Sequence, residues 1–332
     1  MTDTRPRRNQ SDRVAALGLT RDRRRIVYAY LAAILLFVVG EIVHPGFARP
    51  ASVAAILTVA SFVGLVAAGQ TFVVLIGGID LSVPWVLNGA AILLATSSLG
   101  QDSRAPYALA LTLGMGAAAG VVNGFGVAFL GVPAVVMTLA MDGIMEGLTL
   151  GLSGGMTCQA CASYAPPVVQ AAVHGTALGV PAAVILWIVV IAIVSFVLSL
   201  TTFGRKTYAI GNNPLASYLA GIDVRLVTML LYMLSGLFAA LAGVLLVGFG
   251  GQASLGMGAP YLFQSIAAVV IGGVYMLGGR GHYLGAAAGA VTLVALVSVL
   301  LAMNMPDYGR NIIYGIVILV LLLLYGREEK EE

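Results

Sequence analysis

Long apolar blocks, separated by glycine, proline and charge, recur along the chain at 26–43, 51–76, 85–99, 107–130, 133–153, 181–203, 225–249, 261–277, 283–303 and 310–325. A hydrocarbon core about 30 Å thick takes about 20 apolar residues to cross as a helix, so the pattern predicts about ten transmembrane helices. The third block is short and the second long. Gly69-Gln70 and Gly77-Gly78 are the places where a broken helix or a steep tilt would reconcile them. The remaining polar stretches are brief, which divides the chain into a tail (1–25), a membrane domain (26–325) holding one long internal loop (204–224), and a second tail (326–332).

Composition sharpens this to an all-α polytopic membrane protein. The 332 residues are 60% hydrophobic and 9% charged, where a soluble domain carries roughly 25% charge. No stretch is left for a soluble catalytic domain. The spans hold no nucleophile with its base, no metal-ligand set and no cofactor motif, which argues against an enzyme. Cys158 and Cys161 are too few for a disulfide framework and lack the spacing of a zinc site. The first 25 residues are too long and too charged for a signal-peptide n-region, so they read as a cytoplasmic tail. With that end inside, only Arg49, Arg104 and Arg310 of the 17 Lys and Arg residues fall outside. This positive-inside asymmetry predicts two cytoplasmic termini, and an even span count agrees. The net charge of +3 therefore reports orientation and gives no sign of nucleic acid binding.

The inside segment FGRKTYAIGNNPLASYLAGIDVR (203–225) carries local helix signals. Asn213 can accept from a free backbone N–H, and Pro214 lacks the N–H that would otherwise be orphaned. Gly221 sits where a left-handed C-terminal cap belongs. Between them Leu215 and Leu219 lie one turn apart, with Ala216 and Ala220 beside them and Tyr218 between. A short capped helix with an apolar face in an aqueous loop suits a groove on a partner; resting on the membrane surface is the alternative.

At this point AIGNNPLASYLAGIDV (209–224) resembles the coupling-helix region of permease subunits from ATP-binding-cassette (ABC) importers of the ribose, xylose and arabinose type. The likeness continues through GQTFVVLIGGIDLSV (69–83), PAVVMTLAMDGIMEGLTLGLSGG (133–155), YMLSGLFAALAGVLL (232–246) and IAAVVIGGVYMLGGRGHYLG (266–285). The resemblance implies the ABC importer permease fold and import of a monosaccharide. It also implies three partners: a separate ABC ATPase, a periplasmic sugar-binding protein, and a second permease copy or a paralogue. The chain itself would bind no cofactor, ATP and Mg being used by the ATPase. In keeping with that, no G-x-x-x-x-G-K-[ST] phosphate loop occurs. Residues 213–221 are then the expected ATPase dock. The chain departs from the family pattern at Asp142 and Glu146, and at Tyr275-Met276 before GGRG.

Several polar residues fall at membrane depth. Asp80, between Gly77-Gly78 and Ser82-Val83-Pro84, either caps orphan N–H groups at a helix break or faces a watery path as a gate near the cytoplasmic side. Asp142 and Glu146 share a helix face at i and i+4. A carboxylate at the bilayer centre costs about 2.5–3.5 kcal/mol on insertion scales, so this pair lines a central cavity or joins an interhelical network. It would equally serve as the ion site of a secondary transporter, the rival reading. Gln70, Asn88, Asn123 and Gln264 are neutral groups that either hydrogen-bond to a passing polyol or tie helices together. The small-xxx-small pairs Gly120/Gly124 and Gly147/Gly151 indicate helix packing. VVLIGG (73–78) and AVVIGG (268–273) are a candidate internal repeat, each ending a span at the cytoplasmic face.

Overall fold

A computed structural model of the chain describes residues 10–155, 164–306 and seven positions between 308 and 319, without the side chains of 10–23 and 152. Cys158, Cys161 and most of the block 310–325 lie outside the described residues. The elements in chain order are α1 (Gln10–Val43), α2 (Pro50–Val74), α3 (Val83–Ser98), α4 (Ala105–Ala128), α5 (Ala134–Ser153) and α6 (Pro167–His174). A two-stranded hairpin of β1 (Thr176–Ala177) and β2 (Val180–Pro181) follows. Then come α7 (Ala182–Leu200), α8 (Thr202–Asn212), α9 (Pro214–Leu219), α10 (Val224–Gly250), α11 (Ala259–Ile271) and α12 (Tyr283–Ala302). Proline stands in the first turn of α2, α3, α4, α6, α9 and α11, where its missing N–H leaves no bond unmade.

Seven helices among the described residues are long and apolar enough to cross a membrane: the Arg24–Val43 part of α1, and α2, α4, α5, α7, α10 and α12. The blocks expected at 85–99 and 261–277 are the short helices α3 and α11, of 16 and 13 residues. At 1.5 Å per residue these reach about 24 and 20 Å, less than the hydrocarbon thickness. Both begin inside the bundle. After α2 the chain turns at Gly77 (φ +76°) and doubles back, so that Asp80 lies beside Gln70, one turn above the end of α2. Gly69-Gln70 stays helical, which places the break at Gly77-Gly78. Likewise the chain turns at Gly251 (φ +75°) after α10 and re-enters, and the N–H of Met257 donates to Asn88 Oδ1 at 3.2 Å. Gly258 then packs on the backbone of Pro84, so the two short helices start against each other.

Glycine permits a close crossing between α4 and α10. A Cβ at Gly120 would overlap the Tyr232 carbonyl, one at Gly124 would lie 2.6 Å from Met229 Cα, and Gly116 abuts Gly236. Small residues let backbones approach where no water drives association. Gly143, Gly147 and Gly151 of α5 differ: among the described residues no other segment comes within 4 Å of where a Cβ would stand. The small-residue face of α5 therefore points away from the described part of the protomer. The core is α2 from Ala60 to Val74 together with the inner faces of α10 and α12. Its polar rivet is Tyr283, whose hydroxyl donates to the Gly64 carbonyl at 2.7 Å and accepts from Trp187 Nε1 at 2.9 Å.

Gly120→Leu is expected to abolish a monodisperse peak in fluorescence-detected size exclusion, because backbone cannot yield as a side chain can and overpacking costs about 1–3 kcal/mol even where neighbours adjust. Gly114→Leu, on the exposed side of the same helix with no neighbour close by among the described residues, is expected to leave that peak intact.

Candidate functional site

Three features stand out: a buried polar cluster at the α2–α3 break, a cavity at one end of the bundle, and the α8–α9 loop at the other. The cluster follows from a backbone requirement. Residues 75–82 are irregular chain within the bundle, and where they are buried their polar groups have no bulk water to bond. Gly77 and Gly78 donate back to Val74 and Val73, at 2.8 and 3.0 Å. The Gln70 amide brackets Asp80, donating to its carbonyl (3.4 Å) and accepting from its N–H (3.3 Å). Thr138 of α5 donates to the Ile79 carbonyl at 3.3 Å.

The Asp80 carboxylate, 1% exposed, completes the set. Its Oδ1 accepts from the N–H and hydroxyl of Ser82, at 3.0 and 2.6 Å, and its Oδ2 from the Ser235 hydroxyl of α10 at 2.6 Å. Asn123 Nδ2 of α4 donates to Ser82 Oγ at 2.9 Å. One carboxylate thus ties the break to α10 directly and to α4 through Ser82. Tyr232 also reaches this region, its hydroxyl meeting the backbone at Gly78. The Tyr232 hydroxyl, Asn123 Oδ1 and Asn88 Nδ2 are buried without a hydrogen-bond partner among the described residues.

Gln70, Asp80 and Asn123 are therefore brought together, while Asn88 sits higher on α3, holding the start of α11. Asp142 and Glu146 share a helix but not an environment. Asp142 is half-buried and accepts from the Trp85 N–H at the start of α3 (3.3 Å), whereas Glu146 is exposed on the outward face with Gly143 and Gly147. Sequence reasoning passed over Ser235 and Tyr232, because a hydroxyl inside an apolar run carries no pattern of its own. Their separation of three residues, which puts both on the α10 face towards Asp80, was the available signal.

Gln264 lies apart, on the wall of a cavity of about 630 Å³ between α2, α10 and α11. Phe249, Met257 and Tyr261 are among its apolar lining, and Gln252 and Ser254 join Gln264 in the polar part. The cavity lies at the Phe249 end of α10. The α8–α9 loop is at the other end, about 40 Å away along that 27-residue helix.

In that loop, Asn213 Oδ1 accepts from the Ala216 N–H at 2.9 Å, Pro214 opens α9, and Gly221 (φ +82°) closes it. Ser217 is the buried residue of α9. Leu215, Tyr218 and Leu219 are 68%, 68% and 77% exposed, an apolar triad presented outward. Asp223 caps α10 just beyond, accepting from the Leu226 N–H at 3.0 Å.

Residues 52–322 match the family model for the permease component of branched-chain amino acid transport systems. The chain is 32% identical over 303 residues to the autoinducer 2 import system permease protein LsrC of Escherichia coli (strain K12 / DH10B), covering 91% of this chain and 87% of that one. It is 34% identical over 297 residues to the ribose import permease protein RbsC of Bacillus subtilis (strain 168), covering 89% and 91%. The RbsC protein of Haemophilus influenzae is 31% identical with the same coverage. No solved structure matches the chain.

The Asp80 cluster predicts non-additivity. Asp80→Ala strands the Ser82 and Ser235 hydroxyls and is expected to destabilise by about 1–3 kcal/mol. Ser235→Ala removes one of those hydroxyls, so the Asp80→Ala/Ser235→Ala pair should lower the thermal midpoint in detergent by less than the two single changes summed. Strict additivity would mean that the 2.6 Å bond contributes nothing.

Proposed function

The chain belongs to this permease family, and from that premise we propose that it is the transmembrane subunit of an ABC importer carrying a monosaccharide of the ribose, xylose or arabinose type. The family model's description mentions branched-chain amino acids, but the relatives that align over nine-tenths of this chain import ribose and autoinducer 2 by their names. A sugar is therefore the first substrate class to test. The observation that carries the division of labour is α9, a capped helix with three large apolar side chains exposed in a polar loop, at the end of the bundle opposite the cavity.

On this reading a separate ABC ATPase seats on Asn213, Pro214, Leu215, Ala216, Tyr218, Leu219, Ala220 and Gly221, and supplies ATP and Mg chemistry. This chain performs no covalent catalysis. A periplasmic sugar-binding protein delivers substrate at the cavity end, where Gln264 meets it. Transport follows from different contacts in outward-open and inward-open states. Both termini are cytoplasmic, and residues 26–325 form the permease domain between two short tails.

A second copy, or a paralogue, completes the path. The support for this is α5. An exposed carboxylate partway along a membrane-spanning helix is costly against lipid, and Glu146 shares its face with glycines that no other segment covers among the described residues. Packing α5 against a partner helix gives Glu146 a polar cavity and gives Gly143 and Gly147 the close neighbour they are shaped for. Asp142, engaged with the start of α3, and the Asp80 cluster would then respond to movements of that interface, with Gln70, Asn88 and Asn123 holding the moving parts in register.

Two tests follow. In liposomes the purified chain should move no radiolabelled ribose without its ATPase and binding protein; uptake driven by an ion gradient alone would overturn the importer reading in favour of ion coupling at Asp142 and Glu146. Leu219→Asp should abolish copurification with the ATPase while membrane insertion stays normal. Retained association would place the dock elsewhere.

A further inference from the structure

Behind the exposed triad, α8 is fastened to two glycine turns that lie far apart in sequence. Gly211 sits where any Cβ would overlap the Leu75 carbonyl and the Gly279 N–H. Those two groups are bonded to each other at 2.8 Å, which joins the turn after α2 to the turn before α12. Gly278 (φ +92°) fills the remaining gap, its α-carbon side facing the Gly77 N–H and the Gly211 carbonyl. Two side chains of α8 close the joint. The Tyr208 hydroxyl donates to the Gly281 carbonyl at 2.7 Å. Asn212 Nδ2 donates to the Tyr208 carbonyl at 2.8 Å and to the Gly279 carbonyl at 3.4 Å.

The joint is stiff in the direction that matters. One residue, Asn213, separates α8 from α9, and it both ends the first helix and caps the second. On the far side, Leu75 is five residues from Asp80, whose carboxylate anchors the start of α3 to α10. Gly281 is two residues from Tyr283, which is bonded to Gly64 and Trp187. The joint thus links α9, through α8, to the turn that follows α2 and to the turn that precedes α12.

We propose that Tyr208 and Asn212 are positioning residues that clasp α8 to the Leu75–Gly78 and Gly278–Gly281 turns, and that this clasp passes movement of the ATPase dock to the Asp80 cluster and the Tyr283 anchor. The proposal rests on the docking role given to α9 above. Their local alternative, simple packing of a surface helix, would leave nucleotide-driven movement unchanged when the two bonds are cut.

The experiment uses the full chain in complex with its ATPase, with Cys158 and Cys161 replaced by serine and spin labels at Gln101→Cys, beyond the outer end of α3, and Thr176→Cys in the β1–β2 hairpin. Adding ATP and vanadate should shift the distance between labels. In the Tyr208→Phe/Asn212→Ala variant the ATPase should still copurify, while the shift falls to less than half. A full shift in the variant, no shift in the parent complex, or loss of copurification in the variant alone would each overturn the clasp. Failure of the parent chain to bind any ATPase would instead sink the docking role beneath it. Should the double variant not purify as a single species, Tyr208→Phe alone removes one oxygen, keeps the ring packing, and is expected to reduce the shift in the same direction.

Discussion

Irregular backbone inside a membrane must find every hydrogen bond within the protein, and the arrangement around residues 75–82 is a solution to that constraint. Gln70 brackets one peptide, Thr138 takes a carbonyl, and the Asp80 carboxylate collects three donors from two elements. Because these partners come from α2, α5 and α10, with α4 joined through Ser82, the break fixes the relative positions of the helices around it. Without the break α3 would be a continuation of α2 or a full span. With it, α3 starts at depth and meets the start of α11.

That meeting has a physical logic. Two short helices whose first turns abut leave their remaining lengths pointing to opposite ends of the bundle, so neither alone seals the protein from side to side. The cavity lies where α11 falls short at one end, and the glycine turns close the other. Under the proposed function this is the geometry of a path whose two closures are built from different residues and can open in turn.

Much of this was legible in the chain. The apolar blocks mark the spans because lipid tolerates no other composition, and Asn213, Pro214 and Gly221 mark α9 because capping is a local affair of a few residues. Gly77-Gly78 marked the break for the same reason. What the sequence concealed was three-dimensional. Periodicity could not tell that the 85–99 and 261–277 blocks are partial helices starting inside the bundle, since a short apolar run looks alike whether it spans or stops. Nor could spacing separate Asp142 from Glu146: i and i+4 gave one face, and the structure turns one carboxylate toward α3 and the other outward. Ser235 and Tyr232 carried no signal apart from their partner Asp80. The glycine pairs read as equivalent, yet Gly120/Gly124 are filled by α10 and Gly147/Gly151 by no other segment among the described residues.

The exposed triad on α9 has a cellular consequence. Leu215, Tyr218 and Leu219 form an exposed apolar patch, and under the proposed docking role such a patch is either covered or a hazard. A permease made in excess of its ATPase would display this patch on every surplus copy, a ready handle for chaperones and proteases that survey the membrane surface. Under the proposed docking role, balanced synthesis of the subunits would be a condition of the chain's persistence as well as of its transport, and the residues proposed to receive the motor would also report its absence.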